Sequence, residues 1–220
     1  MRNFEIPKRN PDIARPAYAI TQYFVRSIFT LLYGLRIEGK ENIPQTGAFI
    51  IVGNHQSWFD PPIYGSCCTR EIFYAAKAEL FTNPILGPLV KFYNSIPIRR
   101  RGVDREAMTI LSELLASGFA IIVYPEGTRF KDEKLHPPKP GVGLLALQSK
   151  VPILPVYING SAFLYKQLFR RKLKIIFGET FEIGGLIDDT KDDKTNARII
   201  SNYIMKRIAE VGKVAPPTSD

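Results

Sequence analysis

Of the chain's two histidines, His55 falls in NHQSWFD, directly after the apolar run AFIIV and five residues before Asp60. A neutral imidazole can take a proton from a hydroxyl near neutral pH. A carboxylate on its other ring nitrogen fixes the tautomer and stabilises the imidazolium that forms. Asp60 reaches His55 if the residues between them close a tight turn; the plainer alternative is a turn histidine with Asp60 as a helix cap. A second polar stretch, YPEGTRF, puts Glu126 and Arg129 on one short turn, where Gly127 permits close backbone approach. Arg129 can grip a phosphate bidentately, and Glu126 can accept from a polyol hydroxyl or hold Arg129; the plainer reading is a surface salt bridge. Lys77, in FYAAKAEL, is either a second phosphate contact or a lysine with a buried stem and solvated head. The run IPIRRR, with Arg99, Arg100 and Arg101, ordinarily reads as a solvated charge cluster. One base with a carboxylate, followed by several cations, suits moving a group onto the hydroxyl of a phosphate-bearing substrate.

Something must hold these turns together. LRIEG, AFIIVGN, IFYAAK, FAIIVYP and VPILPVYI read as strands, and KLKIIFGETFEI as a strand pair or one long bent strand. DREAMTILSELLASG reads as an amphipathic helix with Ala107, Met108, Leu111, Leu114 and Leu115 on one face, Asp104 as its cap and Gly118 at its end. GVGLLALQSK is a short helix, and Thr195 to Val211 a closing one. Strands apolar throughout are covered on both faces. The expected fold is therefore α/β, a single domain with a central mostly parallel or mixed sheet flanked by helices. In such sheets ligands gather at the carboxyl ends of the strands, and both polar turns share one rim if their strands are parallel neighbours. The boundaries expected are a helical membrane-docking segment over 1–36, the main domain over 37–211 and a loose tail over 212–220.

With 220 residues, 45% hydrophobic and 23% charged, the chain can bury one substantial core. A net charge of +9 favours anionic partners. The adjacent Cys67 and Cys68 are poorly placed to bridge each other, so a reducing compartment is expected, and the first residues lack the apolar core of a secretory signal. Tyr18 to Leu35 is nearly as long as a membrane span of roughly 20 residues. Arg26 at its centre argues instead for a helix lying in the interface, with Tyr18, Tyr23 and Tyr33 at headgroup level and Lys8, Arg9 and Arg15 near acidic lipid. The alternative is a helix packed on its own core. The expected location is the cytoplasmic face of a membrane, monotopic or peripheral rather than spanning.

Four ordered blocks between Asn54 and Val156 resemble the glycerolipid acyltransferases, and within them the 1-acylglycerol-3-phosphate (lysophosphatidic acid) acyltransferase family. NHQSWFD matches the histidine–four residues–aspartate block; NSIPIRR the second, ending on Arg100; YPEGTRF the glutamate-glycine-threonine-arginine block; and VPILPV the fourth, with Pro155. The second block usually opens with glycine, here Asn94, a residue that tolerates left-handed backbone; Arg99 or Arg101 can share the role of Arg100. The resemblance implies acyl transfer from acyl-CoA or acyl-carrier protein, as co-substrate, to the 2-hydroxyl of lysophosphatidic acid, with His55 as base and Asp60 orienting it. It implies phosphate contacts from Arg100, Arg129 and Lys77, and a glycerol position set by Glu126. Gly127 and Thr128 in that turn are implied as further substrate-binding positions, as is Pro155, which shapes the fourth strand beside the acyl chain. Neither a metal nor another cofactor is implied, and an anionic membrane lipid surface is the expected partner.

Other acceptors, glycerol-3-phosphate or another lysolipid, fit the same blocks. Hydrolase chemistry lacks a G-x-S-x-G elbow, leaving Ser57 unsupported as a nucleophile. A non-catalytic lipid-binding module has no need of a histidine–aspartate pair. No nucleic-acid motif or aromatic platform accompanies the basic charge.

Overall fold

A computed structural model describes residues 4–98, 104–166, 168–170 and 172–217. Among them seven strands form one sheet in the order β1-β7-β6-β2-β5-β3-β4: β1 Arg36–Glu38, β2 Phe49–Gly53, β3 Ile72–Lys77, β4 Ser95–Ile98, β5 Ala120–Val123, β6 Ile153–Asn159 and β7 Lys174–Phe177. Neighbours are parallel except β6 and β7, so the sheet is mixed and mostly parallel, as expected. The helices are α1 Pro16–Tyr33, α2 Asp60–Cys67, α3 Leu86–Phe92, α4 Arg105–Ala116, α5 Gly141–Ser149 and α6 Asp193–Gly212. Successive strand residues point to opposite faces. Ile50, Val52 and Ile121 thus join the core under α4, α5 and α6, while Phe49, Ile51 and Ile122 join the core under α1 and α2. Two covered faces are why β2 is apolar at every position.

β2, β5, β3, β4 and β6 all point the same way, so their carboxyl ends share one rim. β2 and β5 pair in parallel, Ile51 opposite Ile122, which brings NHQSWFD and YPEGTRF side by side. Lys77 ends β3, the next strand over. Arg100, with Arg99 and Arg101, lies outside the described residues.

KLKIIFGETFEI forms one four-residue strand rather than a pair or a long bent one. Pro155 gives the reason. Gly178 N–H donates to Pro155 C=O at 2.8 Å, but Pro155 has no N–H to return the bond. The β6–β7 ladder stops there, and contact resumes only at the bridge between Ile153 and Phe181.

α4 behaves as its sequence suggests, with the Asp104 side chain accepting from Ala107 N–H and Gly118 left-handed at φ 86°. The N-terminal segment differs from expectation in two details. Tyr18 is 0% exposed, packed on Phe92 and Tyr93, so it is a core residue rather than a headgroup anchor. Arg9 and Arg15 pair with the buried Glu71, so an internal carboxylate meets their charge although both stay partly exposed. Glu71 also accepts from Asn94 Nδ2 at 2.9 Å, and Asn94 holds φ 54°. Asparagine thus keeps the left-handed turn that glycine usually supplies and adds a buried hydrogen bond.

Burial raises the Glu71 carboxyl, but hydrogen bonds from Asn94 and Arg15 and the charge of Arg9 outweigh it and leave the pKa below its ordinary value. A lowered folded pKa contributes stability that is present at neutral pH and lost as the pH falls below the ordinary glutamate range. Glu71→Gln should cost about 2–3 kcal/mol at pH 7, less than a fully buried pair because Arg15 is partly solvated. Urea denaturation at pH 7 and pH 3 should show that gap closing in acid.

Candidate active site

Local chemistry sets the backbone of His55. Gly53 closes β2, and a Cβ there would sit 2.1 Å from the Tyr64 hydroxyl; the space lets Tyr64 O–H donate to Asn54 C=O at 3.2 Å. The Asn54 amide pairs both ways with the backbone of Ile158, at 2.9 and 2.8 Å, so a side chain prolongs the β2–β6 ladder one residue past Gly53. The next residue is His55. Its N–H donates to Glu126 Oε2 at 2.9 Å, and its C=O accepts from Phe130 N–H at 3.0 Å. Both main-chain polar groups of His55 are thereby held by the turn after β5.

The side chain is oriented as firmly. His55 Nδ1 lies 2.8 Å from Asp60 Oδ2, and the same oxygen accepts from Gln56 N–H at 2.6 Å and Ser57 N–H at 2.7 Å. A carboxylate only accepts, so Nδ1 carries the proton and Nε2 holds the lone pair in the neutral ring. Asp60 is the first residue of α2, whose N-cap is Phe59 without a side-chain cap bond, so the helix-cap alternative does not hold; its Oδ2 instead ties the preceding turn and orients the imidazole. Tyr124 stacks flat against the His55 ring, centroids 4.0 Å apart at 13°, with Tyr64 edge-on behind it. Burial pushes the Tyr124 phenol well above its usual range, so it stays neutral beside the imidazole.

YPEGTRF opens on a β-turn, Gly127 N–H donating to Tyr124 C=O at 3.0 Å, with Pro125 and Gly127 where such a turn favours them. Gly127 is left-handed at φ 67°, and a Cβ there would lie 2.7 Å from Lys139 Cδ. Its absence lets the lysine stem lie across the turn. Glu126, 2% exposed, accepts from His55 N–H on one oxygen and from His136 N–H, at 3.1 Å, on the other. It staples three chain segments together. Burial raises its pKa to about 7, against the lowering effect of the two backbone hydrogen bonds. Arg129 lies over the Trp58 ring, 3.3 Å from its centroid, a cation–π contact across the two turns.

The raised pKa of Glu126 has a sign that can be tested. Between its ordinary 4.5 and about 7 the folded chain keeps a proton that the unfolded chain has released. Stability therefore falls as pH rises through that window. Glu126→Gln abolishes the slope, so from pH 5 to pH 8 the wild type should lose up to about 3 kcal/mol relative to the variant. Urea unfolding at both pH values measures this, and a constant gap would show the carboxyl to be ordinary.

A cavity of about 570 Å³ opens at this rim. His55, Lys77, Gly127, Thr128 and Arg129, five of the residues picked from sequence, line it. Much of the rest of its lining is apolar, including Leu80, Met108, Leu111, Val142 and Leu145. Asp60 and Glu126 stand behind the lining, and Pro155 sits inside β6, away from the cavity. Four contributors were missed. Asn54 and Trp58 lay inside the first quoted motif without a role, and Tyr124 opens the second. Lys139, which also lines the cavity, comes from PPKPG, where prolines on both sides mark a fixed loop. Among the described residues, no three His, Cys, Asp or Glu side chains come together as a metal ion would need. The arrangement can take a proton from a hydroxyl held in a cavity that offers both cations and apolar side chains.

A protein-family model described as Acyltransferase matches residues 34–159, which takes in the sheet from β2 to β6 and both turns. The 1-acyl-sn-glycerol-3-phosphate acyltransferase of Bacillus subtilis is 31% identical over 157 residues, covering 70% of this chain and 77% of the relative. The human 1-acyl-sn-glycerol-3-phosphate acyltransferase beta is 34% identical over 154 residues, 66% of this chain, which spans about half (54%) of that longer protein. Among solved structures, the 1-acyl-sn-glycerophosphate (LPA) acyltransferase PlsC of Thermotoga maritima superposes with a TM-score of 0.64 at 28% identity, over 86% of this chain and 78% of that one. With its fold, its two rim turns and more than half its length matched, the chain belongs to the acyltransferase family.

Proposed function

We propose that the chain transfers a fatty acyl group from acyl-CoA or acyl-carrier protein to the 2-hydroxyl of lysophosphatidic acid, giving phosphatidic acid. The observation that carries this is the composition of one cavity: His55 shares its lining with the cations Lys77, Arg129 and Lys139 and with a set of apolar side chains. An acceptor with a phosphate, a free hydroxyl and an acyl chain matches those three parts, and the family's relatives that act on 1-acyl-sn-glycerol-3-phosphate support the choice.

In this reading His55 Nε2 takes the proton of the 2-hydroxyl as its oxygen attacks the thioester carbonyl. Asp60 stabilises the imidazolium. The tetrahedral intermediate collapses, the C–S bond breaks, and the imidazolium returns the proton to the leaving thiolate. The N–H groups of Gln56 and Ser57 are committed to Asp60, so stabilising the oxyanion falls to other donors at the rim, backbone N–H groups of the YPEGTRF turn or the cavity's cations. No helix among the described residues is long and apolar enough to cross a membrane. The exposed Ile20, Phe24 and Leu31 on α1 support docking of that helix in the interface of an anionic membrane.

Arg129→Ala should raise the acceptor KM about 10-fold or more, the value of a charge-assisted phosphate contact, with a smaller change in kcat. Lys139→Ala should act the same way but less, because its head is solvated. Steady-state kinetics with varied lysophosphatidate separates the two parameters; an unchanged KM with lost kcat would remove Arg129 from phosphate binding. The reaction itself is tested by incubating radiolabelled acyl-CoA or acyl-carrier protein with lysophosphatidate and, separately, glycerol-3-phosphate. Phosphatidate as the main product supports the assignment, whereas product only from glycerol-3-phosphate would move the acceptor.

A further inference from the structure

Between Ser161 and Leu173 the chain leaves β6 at the catalytic rim and turns back into β7. At its start Ser161 Oγ donates to Gln56 Oε1, 3.5 Å away on the catalytic turn. Near its end Phe169 N–H donates to Leu32 C=O, on the last turn of α1, at 2.7 Å. The loop therefore spans from the turn carrying His55 to the end of α1.

Its side chains are not those of an ordinary polar loop. Tyr165 is 73% exposed and Phe169 67%, with Leu168 exposed beside them and Lys166, Arg170 and Lys172 exposed between. Phe169 also holds φ 61°, a left-handed backbone that bulky residues rarely adopt, and gains no burial in return. Leu31 is 74% exposed on the adjoining turn of α1, and Trp58 and Phe59 are exposed on the catalytic turn. No Asp or Glu occurs from Pro16 to Leu35 or from Gly160 to Phe177. Apolar and aromatic tips interleaved with cations, without a compensating acid, match the boundary between acyl chains and anionic headgroups.

The geometry points to a second membrane contact: Tyr165, Lys166, Leu168, Phe169, Arg170 and Lys172 dock on an anionic lipid surface beside the outer face of α1. This rests on the membrane reading of α1 given above and adds a separate element to it. Phe169 and Leu168 enter the acyl boundary while the three cations meet lipid phosphates, each strengthening binding about five-fold. The rim between α1 and the catalytic turn then faces the bilayer.

The test uses the full chain. Phe169→Trp in a Trp58→Phe background leaves one tryptophan, since the chain has only one. With vesicles of phosphatidylcholine and phosphatidylglycerol, its emission should shift to the blue and be quenched by brominated acyl chains. Combining Lys166→Ser, Arg170→Ser and Lys172→Ser should weaken sedimentation with those vesicles about 100-fold, three steps of about five-fold. Vesicle-bound protein with unshifted emission overturns the loop contact and leaves α1 docking intact. Failure of every form to sediment overturns both. A shift that grows with protein concentration without vesicles assigns the face to a second copy of the chain. Equal binding of the triple variant removes the anionic component.

Discussion

His55→Ala should lower acyl transfer about 10³-fold, the size expected for loss of a positioned general base, with little change in stability. The ring is largely buried against Tyr124, but Asp60 keeps its bonds from Gln56 and Ser57, and the His55 backbone bonds to Glu126 and Phe130 do not depend on the side chain. What should move is kcat: lysophosphatidate would still meet Lys77, Arg129 and Lys139. Acceptor KM should stay within a few-fold while turnover collapses. Single-turnover rates with pre-bound acceptor measure this directly, and a variant with normal turnover would take the base role away from His55.

Asp60→Asn separates charge from geometry. Three bonds converge on Oδ2, while Oδ1 is buried with no partner among the described residues. An asparagine can place its carbonyl oxygen where Oδ2 was, keeping all three bonds, and its NH₂ where Oδ1 was. The turn then survives and the negative charge does not. Turnover should fall about 10²- to 10⁴-fold because the imidazolium loses its counter-charge, at a stability cost of about 1–3 kcal/mol for the orphaned amide donor. Asp60→Ala should lose similar activity and more stability, since the Gln56 and Ser57 N–H groups then lose their acceptor. If asparagine retained near-normal turnover, the carboxylate's role would be purely that of a turn cap.

Much of this site was readable before any coordinates because strands apolar at every position announce a sheet covered on both faces, and polar turns directly after them announce its rim. The pairing of His55 with Asp60 was readable because both lie in one local turn. Glu126 was found but its partners were not. A sequence shows the carboxylate but not that both its oxygens point back to the N–H groups of His55 and His136, which belong to distant segments. Tyr124 and Lys139 escaped for the same reason: each matters through what folds against it. α1 shows the limit from the other side. Its apolar length suggested an interfacial helix, yet Tyr18 proved to be core and Arg15 a partner of Glu71, because periodicity does not say which of two apolar surroundings a helix face meets.

β2 is the central strand, and its neighbours in the sheet are β5 and β6. The bonds that fix the catalytic turn reach as far: His55 to Glu126 spans 71 residues, and Asn54 to Ile158 spans 104. During synthesis, then, the strand that leads into His55 waits unpaired until most of the chain has been made. Closing loops of this length is slow, and an apolar strand left open in the meantime is a place where nascent chains stick to one another. A fragment ending before Ala120 leaves β2 with neither of its partners, and one ending before Ile153 leaves it with one. The active site is therefore among the last parts of the molecule to exist, and it appears only as the sheet closes around β2.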